Sequence, residues 1–148
     1  MGEQQSPINV RRAVKVSVDF AVGWHEGRFE VEHESHGVRF RPLGSHWVKL
    51  DGERFELANV HFHRLSEHWV SGRRGVADHA RPAGVAARGR LLPLRGSLTT
   101  PDFGENVSWV VMRDPVAPRD PLRGFVLAHG DQARDPQPLH RRFVPASG

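Results

Sequence analysis

The sequence contains no cysteine, and of its 21 basic residues only Lys15 and Lys49 are lysines. The absence of cysteine excludes disulfides and thiolate-ligated metal sites, and it leaves histidine as the principal metal-binding residue. No apolar run approaches the ~18 residues of a membrane-spanning helix. No basic segment followed by an apolar stretch marks a signal peptide. These absences predict no membrane span and leave the compartment undetermined.

Length and composition predict one domain, residues 1–148. The chain has 148 residues, of which 38% are hydrophobic, and this is enough for a modest core. Its 11 prolines and 15 glycines are spread along the sequence and suit short strands joined by many turns. The sequence has no internal repeat, low-complexity tract or heptad pattern.

A net charge of +4 and a pI near 10.8 raise the possibility of a nucleic-acid-binding protein. The arginines occur as scattered pairs, such as Arg11-Arg12, Arg73-Arg74 and Arg141-Arg142, with acidic residues between them. No block of a single charge forms, so a solvated surface explains the excess better and no nucleic-acid partner is predicted.

Hydrophobic alternation predicts a mainly β protein with a twisted, largely antiparallel sheet. Asp51-Gly52 is a strong hairpin signal, and Glu34-Ser35 and Ser71-Gly72 are further predicted turns. One short helix is predicted over Pro121–His129, after Asp120 as a cap and before Gly130 as a stop. The predicted strands are Val14–Phe20, Arg28–Glu32, Val38–Phe40, His46–Leu50, Arg54–Leu57, the histidine-bearing strand from Asn59, Glu67–Val70 and Val107–Met112.

The segment Asn59-Val60-His61-Phe62-His63 predicts a strand that carries a metal site. Residues two apart on a strand share a face, so Asn59, His61 and His63 lie on one side and Val60 and Phe62 on the other. Two imidazoles at this spacing can converge on one ion at the Zn–N distance of ~2.0–2.1 Å. With 10 histidines in the chain, the pair alone is only a hypothesis.

Further motifs follow in a fixed order and strengthen that hypothesis. They are Gly2-Glu3-Gln4-Gln5-Ser6-Pro7-Ile8-Asn9-Val10, Ser66-Glu67-His68, Gly96-Ser97-Leu98-Thr99-Thr100-Pro101, Glu105–Val111 and Ala133–Leu139 with Arg141-Arg142. Together with His-Phe-His, this set resembles the α-class carbonic anhydrases, particularly the bacterial ones. The resemblance extends to about Val144 and implies that family's sheet, in a chain that is internally shortened and begins inside the first motif.

The resemblance implies zinc-dependent reversible hydration of carbon dioxide to bicarbonate and a proton. His61 and His63 would be zinc ligands, Asn59 would contact the first of them, and Glu67 and Thr99 would form a hydrogen-bonding relay that orients the attacking oxygen. The substrate pocket implied by the resemblance is lined by Leu98, Thr100 and Trp109. His68 matches a buried structural histidine of the family.

His36 matches the family's proton shuttle, with Ser35 in the position of a glycine. An imidazole, with an ordinary pKa of about 6.5, suits the transfer of a proton to buffer. The alternative is a surface histidine in a turn, as for nearby His33. His25, His46, His129 and His140 have no motif around them, so surface or structural roles are expected.

The third zinc ligand is less clear, because relatives supply it from the next strand in a Glu-x-His-x-Val-His pattern. Only His79 is available here, one residue earlier than that spacing predicts, and Ala77 replaces the family's glutamate. A one-residue shift turns a side chain to the other face unless a bulge or a flexible point such as Gly75 absorbs it. The sequence also predicts a deletion between about residues 80 and 91, where relatives carry a block of roughly sixty residues.

Three functions therefore remain open. The first is a shortened zinc carbonic anhydrase, the second a non-catalytic relative or decayed family member with an incomplete metal site, and the third an arginine-rich nucleic-acid binder. Relatives are often periplasmic or secreted, although this chain shows no signal peptide. The sequence does not determine the oligomeric state.

Overall fold

The computed structural model describes residues 2–34, 37–61, 63–64, 66–74, 77–78, 91–113 and 133–148. For residues 34, 63, 64, 77 and 78 it describes the main chain only. All the regular structure of these residues is β, as the sequence predicts. In these ranges no helix is long and apolar enough to cross a membrane. The helix predicted over Pro121–His129 lies outside the described residues.

The strands are short, as expected for a chain with frequent glycine and proline. They are β1 Asn9–Val10, β2 Ala13–Val16, β3 Phe20–Gly23, β4 Phe29–Glu34, β5 Gly37–Pro42, β6 Trp47–Leu50, β7 Glu53–Glu56, β8 Val60–His61, β9 His63–Arg64, β10 Trp69–Val70, β11 Arg73–Arg74, β12 Ala77–Asp78, β13 Leu91–Gly96, β14 Val107–Met112 and β15 Val144–Ser147.

Antiparallel pairs account for most of the pairing among the described strands. Strands β4 and β5 form a hairpin, and β8 adds to the other edge of β5 with His61 opposite Arg39. Strands β3, β6 and β7 form a second antiparallel group. The β6–β7 turn is Asp51-Gly52, with φ values of 48° and 88°. Positive φ at both turn positions matches the strand twist, so the predicted hairpin signal is confirmed.

Two parallel pairs connect remote parts of the chain. Strand β1 lies parallel to β10, with Asn9 opposite Trp69, and β10 continues antiparallel into β11. Strand β15 lies parallel to β2, with Val144 opposite Ala13. The N-terminal residues therefore contact both the segment after the histidine motif and the C-terminal strand.

The core lies between these elements and the β13–β14 hairpin, in which Leu92 pairs with Val111 and Leu94 with Trp109. The partly buried side chains of Val70, Trp109, Val111 and Leu139 pack against the core. Its buried members come from β1, β13 and β15 and the residue before β1: Ile8, Val10, Leu92, Leu94, Val144 and Ala146. The first sequence motif is thus part of the core and not a mobile leader to it.

One strand prediction needs correction. Val14–Phe20 is not one strand, because the chain leaves its partner β15 after Val16 and joins β6 from Phe20 onward. Asp19 occupies the break, where its N–H donates to the Asp51 side chain and its carbonyl accepts from the Asp51 N–H. Such local bonds compete with a sheet ladder. On the two sides of residue 62, which lies outside the described residues, the histidine-bearing segment pairs as β8 with β5 and as β9 with β12.

Candidate metal centre and the residues around it

The clearest polar contact at the candidate site joins Thr99 to Glu67. The Thr99 hydroxyl donates a hydrogen bond of 3.2 Å to Glu67 Oε1, although the two residues are 32 positions apart in sequence. The Glu67 side chain is 7% exposed, so its carboxylate lies inside the protein. A buried carboxylate accepts hydrogen bonds and donates none when ionised. The structure therefore brings together the two residues that the sequence predicts as a relay.

Asn59 and His61 form a second predicted contact. The Asn59 side-chain oxygen lies 3.2 Å from His61 Nδ1. An amide oxygen only accepts, so Nδ1 is the donor in this hydrogen bond. Metal-binding histidines commonly use their other ring nitrogen in this way, which fixes tautomer and ring orientation. The His61 side chain is exposed on β8.

The other predicted ligands are only partly described. His63 lies in β9, where its main chain pairs with Asp78 of β12. His79 and the predicted shuttle His36 lie outside the described residues. Among the side chains that the structure describes, no group of three or more histidine, cysteine or acidic residues could hold a metal ion. His61 is therefore the only one of the three predicted ligands whose side chain the structure describes.

The three predicted pocket residues differ in exposure. Leu98 is 43% exposed and Thr100 is also exposed, so both side chains reach the surface beside Thr99. Trp109 is half-buried, and its indole N–H donates to the Ser97 carbonyl at 3.1 Å. The tryptophan therefore also holds the main chain that leads into Leu98 and Thr99.

Ser6 and Ser97 form a reciprocal pair that sequence reasoning missed. The Ser6 N–H donates to the Ser97 hydroxyl at 2.9 Å, and the Ser97 N–H donates to the Ser6 hydroxyl at 3.2 Å. Both residues are 0% exposed. Gly96 allows this approach, because a Cβ there would collide with Ser6 Oγ. The first motif thereby fixes the start of the loop that carries Thr99.

The same N-terminal segment also holds the loop of Glu67. The Ile8 N–H donates to His68 Nδ1 at 3.2 Å, and the His68 ring makes an edge contact with Trp109 at 4.7 Å between centroids. His68 is 3% exposed, which agrees with the buried structural role expected from the sequence. Glu67 and Thr99 are therefore anchored, through their neighbours, to one short stretch of chain.

Two arginines of the last motif secure that stretch from the other side. Arg134 donates to the Gln5 side chain at 2.9 Å and to the Ser6 carbonyl at 2.8 Å. Arg142 donates to the carbonyls of Gln5 and Pro138 at 2.8 and 3.0 Å. Burial lowers the pKa of the Arg142 guanidinium. The sequence places Arg134 and Arg142 in the last motif, but the motif does not predict these contacts.

Comparison with known proteins identifies relatives of the chain. No protein-family model matches the chain. It is 25% identical to a carbonic anhydrase of Pectobacterium carotovorum over 198 aligned positions, which take in 97% of this chain and 80% of that protein. Since the chain has 148 residues, the relative carries residues within the aligned span that have no counterpart here.

Solved structures give the same result. The chain superimposes on the α-carbonic anhydrase of Thermovibrio ammonificans, solved with sulfanilamide, with a TM-score of 0.75 and 25% identity over 99% of this chain and 88% of that one. The α-carbonic anhydrase of Photobacterium profundum gives a TM-score of 0.83 at 20% identity, over 97% of this chain and 89% of that one. The chain is a distant member of the α-class carbonic anhydrase family, shorter than its relatives.

Proposed function

We propose that the chain catalyses the reversible hydration of carbon dioxide to bicarbonate and a proton, with Zn²⁺ as its cofactor. The observation that carries the proposal is the hydrogen bond from Thr99 to the buried Glu67. A threonine whose proton is committed to a carboxylate keeps its oxygen lone pairs for accepting a hydrogen bond. Thr99 can therefore hold a reacting water in one orientation.

Zinc, when bound, lowers the pKa of a coordinated water to about 7 and so provides a nucleophile near neutral pH. The residues of this chain provide orientation. Glu67 fixes the direction of the Thr99 hydroxyl. By accepting a hydrogen bond from the reacting water, Thr99 then orients a lone pair of the water oxygen toward carbon dioxide. Such positioning lowers the entropic part of the barrier. Leu98, Thr100 and Trp109 are the proposed walls of the substrate pocket.

The proposed zinc ligands are His61, through Nε2, with His63 and His79. The support for His61 is its contact with Asn59, which fixes the orientation of the imidazole ring. His63 follows it at the strand spacing of two. His79 is the histidine that the following segment offers, and it rests on the sequence alone. His36 is the proposed shuttle that transfers the released proton to buffer.

Metal content and rate together test the proposal. We expect purified protein loaded with zinc to hold one zinc per chain and to hydrate carbon dioxide faster than the uncatalysed reaction in a stopped-flow pH-indicator assay. Removal of the metal with a chelator should abolish the rate, and added zinc should restore it. Zinc-loaded protein that leaves the hydration rate at its uncatalysed value would exclude the enzyme function.

A non-catalytic carbonic anhydrase relative is the second candidate. It is favoured by one observation from the sequence, that His79 lies one residue earlier than the pattern of relatives predicts and Ala77 replaces their glutamate. The sequence offers only His79 as a histidine between residues 69 and 90. This candidate predicts less than one zinc per chain or a bound zinc without hydration, so the same two measurements separate the alternatives.

A further inference from the structure

His46 is a buried histidine that belongs to none of the family motifs. The residue is 1% exposed, and both of its ring nitrogens are buried without a hydrogen bond in the part of the chain that the structure describes. A buried imidazole in this state costs free energy, because it loses its hydrogen bonds to water. Such a group indicates an ordered water, an ion or a functional role. The surroundings of His46 show which ligand it fits.

Aromatic side chains hold the His46 ring in place. Phe29 stacks on it at 5.7 Å between centroids and 14° between planes, and Trp24 lies against it at 5.1 Å. Trp24 follows β3 and His46 precedes β6, and these two strands pair with Gly23 opposite Trp47. Packing therefore fixes the orientation of the imidazole without giving either nitrogen a partner.

A second histidine packs against the same ring. The centroids of His25 and His46 lie 4.4 Å apart, with 40° between the ring planes. His25 is exposed, and its Nδ1 donates to the Glu26 carbonyl at 3.0 Å. Exposed side chains change rotamer within picoseconds to nanoseconds, so His25 can give up this hydrogen bond and turn toward His46. The pair thus combines one fixed imidazole with one adjustable imidazole.

Gly27 leaves a space that both rings border. A Cβ at this position would lie 3.3 Å from His46 Nε2 and 3.9 Å from His25 Nδ1. Apart from the glycine and its chain neighbours, the three atoms nearest to that point all belong to these two rings. Imidazole nitrogens bind zinc at ~2.0–2.1 Å, so an ion placed slightly closer to His46 comes within reach of both rings once His25 turns.

We propose that His25 and His46 bind a divalent transition-metal ion, most tightly Cu²⁺. Imidazole is a ligand for copper, nickel and zinc, and affinity among the divalent ions is highest for Cu²⁺. Among the described side chains no third histidine, cysteine or acidic residue joins the pair, so water completes the coordination. Two nitrogens with water oxygens form the tetragonal set that Cu²⁺ prefers. The proposal depends neither on zinc at His61 nor on the hydration of carbon dioxide.

Equilibrium dialysis of the purified full chain against Cu²⁺ tests the histidine pair. At saturation we expect wild type to bind one Cu²⁺ per chain more than His46→Phe, and the electron paramagnetic resonance spectrum of the variant to lose the matching nitrogen couplings. Cu²⁺ held by His61 is common to both proteins and cancels in the difference. His25→Ala should weaken this site by at least ~10-fold, the lower end of the loss for a residue that only supports a ligand. His140→Ala removes an exposed histidine elsewhere and is the control.

Phenylalanine suits the aromatic surroundings of His46 and removes two unpaired buried nitrogens, so His46→Phe should fold at least as stably as wild type without metal. Thermal unfolding of the metal-free variants checks this. Two glycines provide a second test that leaves both histidines in place. Gly27→Ala fills the shared space and should weaken Cu²⁺ binding by about 10-fold or more, as for the loss of a supporting residue.

Gly44→Ala is the matched control for Gly27→Ala, because its Cβ would make an ordinary contact of 3.7 Å with His25 Cε1. Neither glycine has a positive φ, so both accept alanine without backbone strain. Equal Cu²⁺ binding by wild type, His46→Phe and Gly27→Ala would overturn the proposal and leave an ordered water as the partner of His46. A loss in His140→Ala as large as in His46→Phe would also overturn it, since binding would then be a general property of the histidines.

Discussion

Thr99 and Glu67 lie 32 residues apart and meet through a 3.2 Å hydrogen bond between hydroxyl and buried carboxylate. The two residues belong to different motifs. His68, which follows Glu67, and Ser97, two residues before Thr99, are both hydrogen-bonded to the N-terminal segment. Ser97 pairs with Ser6, and His68 accepts from Ile8. The geometry of the relay therefore depends on contacts among three remote parts of the chain.

Thr99→Ala should lower the kcat/KM for carbon dioxide hydration by about 100-fold while leaving zinc content unchanged. The variant loses the group that orients the reacting water but no proposed metal ligand, and misorientation of this kind costs about two orders of magnitude. Stopped-flow rates and metal analysis on the same samples provide the two readouts. Ser17→Ala, which removes an exposed hydroxyl, is the control. Loss of zinc from Thr99→Ala would contradict the assigned role.

Asn59→Ala should weaken zinc binding by about 10–100-fold, because His61 would lose the partner that fixes its tautomer and orientation. Asn59→Gln keeps the accepting oxygen on a longer side chain and should retain most of the affinity. Chelator competition measures both, with Asn106→Ala as a control at an exposed amide. Equal affinity in Asn59→Ala and wild type would mean that His61 is not a ligand held by Asn59.

Sequence patterns predicted the β elements best where the signal was local. Val107–Met112 is apolar at every position except Ser108, and the strand has those bounds. Asp51-Gly52 fixed a hairpin because two positive φ values require such residues. Val14–Phe20 was wrong as a single strand, since its alternation carries no information about a change of partner from β15 to β6.

At the site, the resemblance to the α-class carbonic anhydrases predicted which residues meet, and the roles of these residues stay predictions. Glu67 with Thr99 and Asn59 with His61 are both in contact as expected. The Ser6–Ser97 pair was not predicted, because a serine hydroxyl has no sequence signal that distinguishes a buried partner from solvent. The register that places Asp78 opposite His63 could not be predicted either, because pairing across strands depends on the whole sheet.

His36→Ala should slow turnover mainly in weak buffer, if His36 is the proton shuttle. Its imidazole would transfer the released proton, and a small imidazole buffer can replace it. The rate of the variant should rise with buffer concentration toward that of wild type, while zinc content stays constant. His140→Ala serves as a control at an exposed histidine. The same buffer dependence in wild type and His36→Ala would exclude the role.

Gly96→Ala should destabilise the fold by about 1–3 kcal/mol, the usual cost of adding a methyl group to a closely packed position. A Cβ at this position would collide with Ser6 Oγ and lie 3.0 Å from the Trp109 ring. Denaturant unfolding of metal-free protein measures the change. Gly104→Ala is the matched control, because its added Cβ would be no closer than 3.4 Å to any neighbour. Equal losses in both variants would show that the Ser6 contact is not the cause.

Ser6→Ala and Ser97→Ala should each lower the free energy of unfolding by about 1–3 kcal/mol, because each leaves a buried N–H of the partner without its acceptor. Each variant removes one of the two reciprocal hydrogen bonds. Ser6→Ala leaves the Ser97 N–H without its acceptor, and Ser97→Ala leaves the Ser6 N–H without its acceptor. The double variant removes both hydroxyls, and residues in direct contact are expected to show a coupling energy of at least ~0.5 kcal/mol.

A double-mutant cycle by denaturant unfolding measures that coupling, and Ser17→Ala combined with each variant provides an additive reference at an exposed serine. If the pair also positions Thr99, both single variants should lower kcat while leaving zinc content and KM unchanged, because only the orientation of the hydroxyl is disturbed. Strictly additive losses of stability would contradict a reciprocal pair. A loss of stability with kcat unchanged would limit Ser6 and Ser97 to a structural role and leave the relay to be held by His68 and Trp109.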